Sequence, residues 1–132
     1  MKEYGTIIPL VTIICHGIIF HAAAEFSLSY LTVNAEKEDG PVPGARVTWS
    51  TTAPPECVTS FRVELRNSSR GSVEKSCNIT DPSATEAILT GLQGNTTYYV
   101  RVIVVAGDGE FSLGTLMSEE VQVVTGGKAI HV

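Results

Sequence analysis

The sequence predicts an all-β protein, a seven-stranded antiparallel sandwich, from three observations. Apolar residues recur with period two in short runs, which is the spacing of half-buried strands. Turn-forming clusters such as TTAPPE and ITDPSA separate these runs. No segment beyond the N-terminal one has a helical period. Seven such runs within about 100 residues are typical of an antiparallel sandwich.

The chain of 132 residues begins with the layout of a secretory signal peptide. Lys2 supplies a positive charge, a mostly apolar run covers residues 7–20, and alanines at 22–24 offer a cleavage site. We predict a signal peptide at 1–24, a secreted mature domain at 25–125 and a flexible tail at 126–132. The apolar run is shorter than the ~20 residues of a spanning helix, so an uncleaved anchor at the cell surface is the weaker alternative.

The predicted strands follow one another from residue 28 onward. LSYLTVNA is the first, a charged loop containing prolines follows it, and ARVTWS is the second, with Trp49 on its inner face. TTAPPE ends that strand because two adjacent prolines do not fit inside a β-ladder. SFRVELR has the clearest alternation, with Phe61, Val63 and Leu65 on one side. The remaining strands are SVEKSC, TEAILTGL, TTYYVRVIVVA and SEEVQVVT.

Several classes of function lack the residues that they require. The formal net charge is −5 with no basic cluster, which argues against nucleic acid and anionic membranes as partners. No histidine lies between residues 25 and 130, so histidine-dependent nucleophiles and metal sites are not expected. Asp108 and Glu110 share one loop, but Ca²⁺ prefers about 6–8 oxygen ligands. We therefore expect no enzyme activity, no cofactor, no metal and no small-molecule substrate.

Two cysteines remain after the predicted cleavage, Cys57 and Cys77. An even number of cysteines in an exported chain favours a disulfide over free thiols. The bridge would close a ring of about 20 residues and contribute ~3 kcal/mol to stability. A redox-active pair is the alternative, although such pairs usually lie closer together in the sequence.

Three sequons for N-glycosylation begin at Asn67, Asn78 and Asn95. All three fall at predicted turns or strand ends, where a glycan would project into solvent. Together with the export signal, they predict a glycosylated extracellular domain.

The segment TGLQGNTTYYVRVIVVA resembles a fibronectin type III domain. Leu92, Thr96 and Tyr98, followed by alternating valines, occupy the places of the family pattern, and Gly94 stands where the family usually has proline. Trp49 in VTW is similar to the family's buried tryptophan, and the resemblance covers nearly all of residues 27–125. It implies an immunoglobulin-like sandwich with Trp49, Leu92 and Tyr98 in the core. Tyr98 also suits a tyrosine corner, in which the hydroxyl reaches back to the backbone.

The resemblance further implies that partners bind at loops on one end of the sandwich or on the face of the larger sheet. The loop AGDGEFSLGT, residues 106–115, is similar to the loop that carries an Arg-Gly-Asp integrin motif in one fibronectin module. Here Asp108 takes the Arg place and Glu110 the Asp place, so integrin binding by that route is not expected. Phe111 beside them either anchors a partner or folds back over the core edge.

The face of the longest predicted strand gives a second candidate surface. If Tyr98 faces inward, then Tyr99, Arg101 and Ile103 face outward, beside the charged outer face of SFRVELR. Either the stems of those charged residues cover Tyr99 and Ile103, or the face contacts a protein.

We expect a non-catalytic, extracellular recognition or adhesion module that binds an unidentified extracellular or cell-surface protein. One alternative is the membrane-distal part of a larger receptor, since the chain stops almost where its last strand does. Another is a secreted inhibitor or antigen that binds a partner protein through its loops.

Overall fold

The computed structural model describes residues 29–107 and 112–127. This part of the chain contains eight β-strands and one short 3₁₀ turn at Pro55–Cys57. The strands are β1 (Leu31–Glu38), β2 (Gly44–Thr51), β3 (Val58–Arg66), β4 (Lys75–Ile79), β5 (Glu86–Thr90), β6 (Thr97–Gly107), β7 (Ser112–Met117) and β8 (Val121–Val124).

The strands form two antiparallel sheets that share one core. The smaller sheet has the order β1-β2-β5. In the larger sheet β4 pairs with β3, β3 pairs with β6, and β7 and β8 both pair with β6. The predicted all-β antiparallel sandwich is confirmed as a class, but the described residues contain eight strands instead of seven.

The additional strand is β7, which occupies part of the segment predicted as a loop at 106–115. Gly114 has a φ of +115°, a conformation that favours glycine, and the small residues around it are typical of a turn. Nevertheless β7 pairs with the end of β6, and β8 pairs with its beginning. Ser118 bridges the interruption between them, because its backbone N–H donates to the Val102 carbonyl at 2.9 Å while its Oγ accepts from the Val102 N–H at 2.9 Å. The predicted final strand, SEEVQVVT, therefore corresponds to β8 alone, and β7 is a further strand on the same side of β6.

Strand β1 also extends further than predicted. Residues 36–38 were expected in a charged loop, but they continue the pairing with β2 as far as Glu38 opposite Gly44. On this extension Arg46 of β2 pairs with Glu38 at 3.0 Å and also with Glu86 on β5. Charged side chains are thus accommodated on the solvent face of the smaller sheet.

The core lies between the sheets and follows the period-two pattern of the sequence. Phe61, Val63 and Leu65 on β3 are at most 1% exposed, as predicted. Trp49 on β2 is also buried and contacts Phe61, with ring centroids 5.3 Å apart and a tilt of 45°. Each such side chain contributes roughly 1.5–3 kcal/mol through burial, so these residues hold the two sheets together.

Tyr98 forms the predicted corner at the start of β6. Its ring is buried, and its hydroxyl accepts a hydrogen bond from the Gln93 backbone N–H at 3.0 Å. Leu92, next to this turn, is buried and donates its N–H to the Pro43 carbonyl at 3.2 Å. The expected core positions of Trp49, Leu92 and Tyr98 agree with this packing.

The predicted disulfide between Cys57 and Cys77 is wrong for this structure, in which Cys77 is a free thiol. Cys77 on β4 lies directly opposite Val63 on β3. Cys57 precedes the first residue of β3, so it lies on the order of 15 Å away along the strand. A disulfide requires Cα atoms within about 7 Å of each other, and the register of β3 and β4 therefore keeps the two cysteines apart.

Replacing Tyr98 by Phe should lower the free energy of unfolding by about 0.5–1.5 kcal/mol, because the Gln93 N–H loses its acceptor. Tyr99→Phe is the matched control: the Tyr99 hydroxyl makes only a 3.5 Å contact with exposed Gln122, so a change below about 0.5 kcal/mol is expected. Urea denaturation monitored by circular dichroism measures both variants. Equal effects would contradict the assigned corner.

Candidate functional site

The outer face of the larger sheet carries three of the residues predicted to bind a partner: Tyr99, Arg101 and Ile103. All three lie on β6, point away from the core and are half-buried. The register places them beside charged residues of β3, with Arg66 opposite Tyr99, Glu64 opposite Arg101, and Arg62 opposite Ile103. We refer to this side of the larger sheet, formed by β3, β4, β6, β7 and β8, as the outer face.

Glu64 is the centre of a charged group on this face. It is only 7% exposed, although the sequence places it on the solvent side of β3. Its carboxylate pairs with Arg66 at 2.8 Å and with Arg62 at 3.5 Å. Arg101 stands directly across from it on β6. We refer to Arg62, Glu64, Arg66 and Arg101 as the Glu64 cluster.

The arginines of the Glu64 cluster are held to different degrees. Arg66 is fixed by its bond to Glu64 and by donation from its Nε to the Gly71 carbonyl at 2.8 Å. Two guanidinium nitrogens, Arg66 Nη1 and Arg101 Nε, are buried without a hydrogen-bond partner. Buried polar atoms in folded proteins usually have a partner, so these two donors mark the cluster as incompletely satisfied.

Glu120 extends the charged group toward the break between β7 and β8. Its carboxylate accepts hydrogen bonds from the Ser69 hydroxyl at 2.8 Å and from the Arg70 backbone N–H at 3.3 Å. The Ser69 hydrogen bond is the main reason that the pKa of Glu120 lies below its usual value, and the charges of Arg101 and Arg66 act in the same direction. The carboxylate thereby connects the turn after β3 to the edge of the sheet.

Apolar side chains occupy the other end of the outer face. Met117 on β7 lies opposite Ile103 and is 55% exposed. Val105, next along β6, is half-buried. Arg62 lies opposite half-buried Ile103, so covering by long charged neighbours and contact with a protein both stay predictions for this side chain. Met117 is more exposed and is available to a partner.

Asp108, Glu110 and Phe111 lie outside the described residues, so their predicted roles stay predictions. The strand ends that flank them are paired, with Gly107 opposite Ser112. The separation along β6 from Gly107 is about 13 Å for Ile103 and about 26 Å for Tyr99. The described ends of β6 and β7, at Gly107 and Ser112, therefore lie closer to the apolar end of the outer face than to the Glu64 cluster.

The three sequon asparagines, Asn67, Asn78 and Asn95, are all exposed. Asn67 follows the end of β3, and Asn95 occupies a turn with a φ of +51° before β6. Asn78 differs from these two because it lies within β4, directly opposite Arg62. Glycosylation itself stays a prediction, but a glycan at Asn78 would start on the outer face.

Two cavities in the described part of the chain are lined by residues outside the Glu64 cluster. One, of about 340 Å³, opens between β1 and β8 and is lined by Tyr30, Leu31, Thr32, Val33, Glu119 and Val121. Another, of about 320 Å³, adjoins Asn67 and Tyr98. Residues 29–107 and 112–127 contain no group of three or more His, Cys, Asp or Glu side chains that could hold a metal ion. In the same residues no helix is long and apolar enough to cross a membrane.

Sequence reasoning identified the outward residues of β6 but missed the Glu64 cluster. The sequence shows only that Arg62, Glu64 and Arg66 point outward from one strand. The alternation of Arg, Glu and Arg was a usable signal, but their relation to Arg101 depends on the register between two strands about 40 residues apart, which the local pattern does not give.

Comparison with known proteins agrees with the resemblance seen in the sequence. A family model described as fibronectin type III domain matches residues 31–116, more than half of the chain. The chain is similar to a solved myokine structure, with 19% identity, a TM-score of 0.53, and coverage of 70% of this chain and 93% of that one. It is also similar to a computationally redesigned β-sandwich protein, with 28% identity, a TM-score of 0.46, and coverage of 75% and 91%. Curated proteins give no match.

Replacing Glu64 by Gln should lower the free energy of unfolding by about 1.5–3 kcal/mol, because a buried carboxylate that accepts charged hydrogen bonds is lost. Glu86→Gln is the matched control: its side chain is 40% exposed, so removing its pair with Arg46 should cost less than about 1 kcal/mol. Urea denaturation measured by Trp49 fluorescence compares the two. If Glu64→Gln lowers the free energy of unfolding by less than Glu86→Gln does, the ion pairs of the Glu64 cluster do not stabilise the outer face.

Proposed function

Because the chain belongs to the fibronectin type III domain family, we propose that it is an extracellular, non-catalytic module that recognises a protein partner through the outer face of its larger sheet. Domains of this family are generally binding or adhesion modules, and many are extracellular. The export signal and the sequons predicted from the sequence support the same compartment.

The observation that carries this proposal is the composition of the outer face. Arginine and tyrosine are common among residues that dominate the energy of protein interfaces. Arg101 and Tyr99 lie here on a rigid central strand, and Met117 adds an exposed apolar side chain. A rigid strand loses little conformational entropy on binding, which favours recognition by this face.

Two alternatives concern the same fold in a different setting. The chain would be part of the ectodomain of a larger receptor if its transcript continued into further modules or a membrane span. It would be a secreted inhibitor or antigen if binding depended on the loop with Phe111. The second alternative makes a different prediction about mutations and can be tested in the same experiment.

Met117→Glu should reduce binding of the partner by about tenfold or more, because it places a charge at the apolar end of the outer face. The test is affinity capture from cell-surface and extracellular extracts by the full chain, produced in secreting cells. Ile88→Glu is the matched control, since Ile88 is 49% exposed on the smaller sheet and should leave capture unchanged.

Phe111→Ala distinguishes the alternatives. If Phe111→Ala abolishes capture while Met117→Glu does not, the loop carries recognition and the outer face does not. If neither variant changes a reproducible capture, both proposed surfaces are wrong.

A further inference from the structure

The part of the outer face around Glu64 carries a local excess of positive charge on an acidic protein. The Glu64 cluster, taken together with Arg70 and Glu120, contains four arginines and two glutamates. Their net charge is +2, whereas the whole chain carries −5. The one remaining arginine, Arg46, lies on the smaller sheet and is paired with two carboxylates. The charge distribution therefore distinguishes one face of the sandwich from the rest.

Most hydrogen-bonding capacity of two of these arginines is unused. Arg62 is about half exposed and makes one ion pair, at 3.5 Å, with Glu64. No hydrogen bond joins the Arg101 guanidinium to another described residue; its Nε is buried, so the donors left for a partner are those of its two Nη groups. A guanidinium has five N–H donors in a planar fork that matches a carboxylate. Arg62 lies two residues before Glu64 on β3 and Arg101 lies opposite Glu64 on β6, so each could donate hydrogen bonds to a further carboxylate.

From these observations we infer that the outer face binds an acidic polypeptide segment, whose carboxylates pair with Arg101 and Arg62 while its apolar side chains pack on Ile103 and Met117. The inference rests on the proposed function and specifies the chemistry of the partner. Glu64 orients Arg62 in advance through their ion pair at 3.5 Å, which reduces the side-chain entropy lost on binding.

The same observations favour a polypeptide over a sulfated glycan. Binding of a polyanion depends on many concentrated positive charges that release counterions. Here the excess is only +2, because Glu64 and Glu120 lie among the arginines. Exposed Met117 and half-buried Ile103 continue the surface and would contribute nothing to a sugar sulfate. A segment that combines Asp or Glu with apolar residues could pair with the arginines and also pack on Ile103 and Met117.

The test is selection of short random peptides displayed on phage against the full chain produced in secreting cells. The Asn78→Gln background removes the sequon nearest the cluster. Selected peptides should be enriched in Asp and Glu together with Leu, Ile, Val or Phe. Their affinity should fall by about tenfold or more in Arg101→Gln, since one charge-assisted contact is lost. Arg46→Gln, on the opposite sheet, should leave their affinity unchanged.

The outcomes separate this inference from the proposed function. Loss of affinity in Met117→Glu would show that the selected peptides bind the outer face. If such peptides are not acidic and bind Arg101→Gln with unchanged affinity, the inference fails and the proposed function stands. If no selected peptide is sensitive to Met117→Glu or to Arg101→Gln, both fail. Tighter binding of heparin than of any selected peptide, lost in Arg101→Gln, would overturn the inference in favour of a polyanion.

Discussion

The pairing between β3 and β6 is the constraint on which both the core and the candidate site depend. Its register sets Phe61 opposite Val104 and Val63 opposite Val102, all of them buried. Because side chains alternate along a strand, the same register sets Glu64 opposite Arg101 on the other face. A shift by one residue would move every one of these side chains to the wrong face. The hydrophobic core therefore fixes the arrangement of the charged cluster.

Much of the fold could be predicted from the sequence because its signals are local. The alternation in β3 and β6 identified the inward residues, and the spacing of Leu92 and Tyr98 identified the corner. Strand β7 was missed because Gly114 and the small residues near it resemble a turn. Contacts between residues that are distant in the sequence could not be predicted from such local signals. An even number of cysteines in the predicted mature chain favoured a disulfide, but the register of β3 and β4 separates Cys57 from Cys77.

The candidate site could be predicted only in part for the same reason. Tyr99, Arg101 and Ile103 were identified as outward residues because alternation is visible along one strand. The burial of Glu64 was not visible, since it results from arginines on β3 itself and on the neighbouring strand. Glu120 joins from a third segment, through a turn residue, Ser69, that has no periodic signal. A site assembled across strands is thus a property of the register and not of any one motif.

We propose that partners bind the outer face of the larger sheet. Isotope labelling of isoleucine methyl groups tests it directly, because Ile103 lies on that face and Ile88 lies exposed on the opposite sheet. In NMR spectra of the full chain with a captured partner, the Ile103 methyl resonance should shift or broaden while that of Ile88 stays in place. A shift of the Ile88 resonance with no change at Ile103 would contradict binding at the outer face.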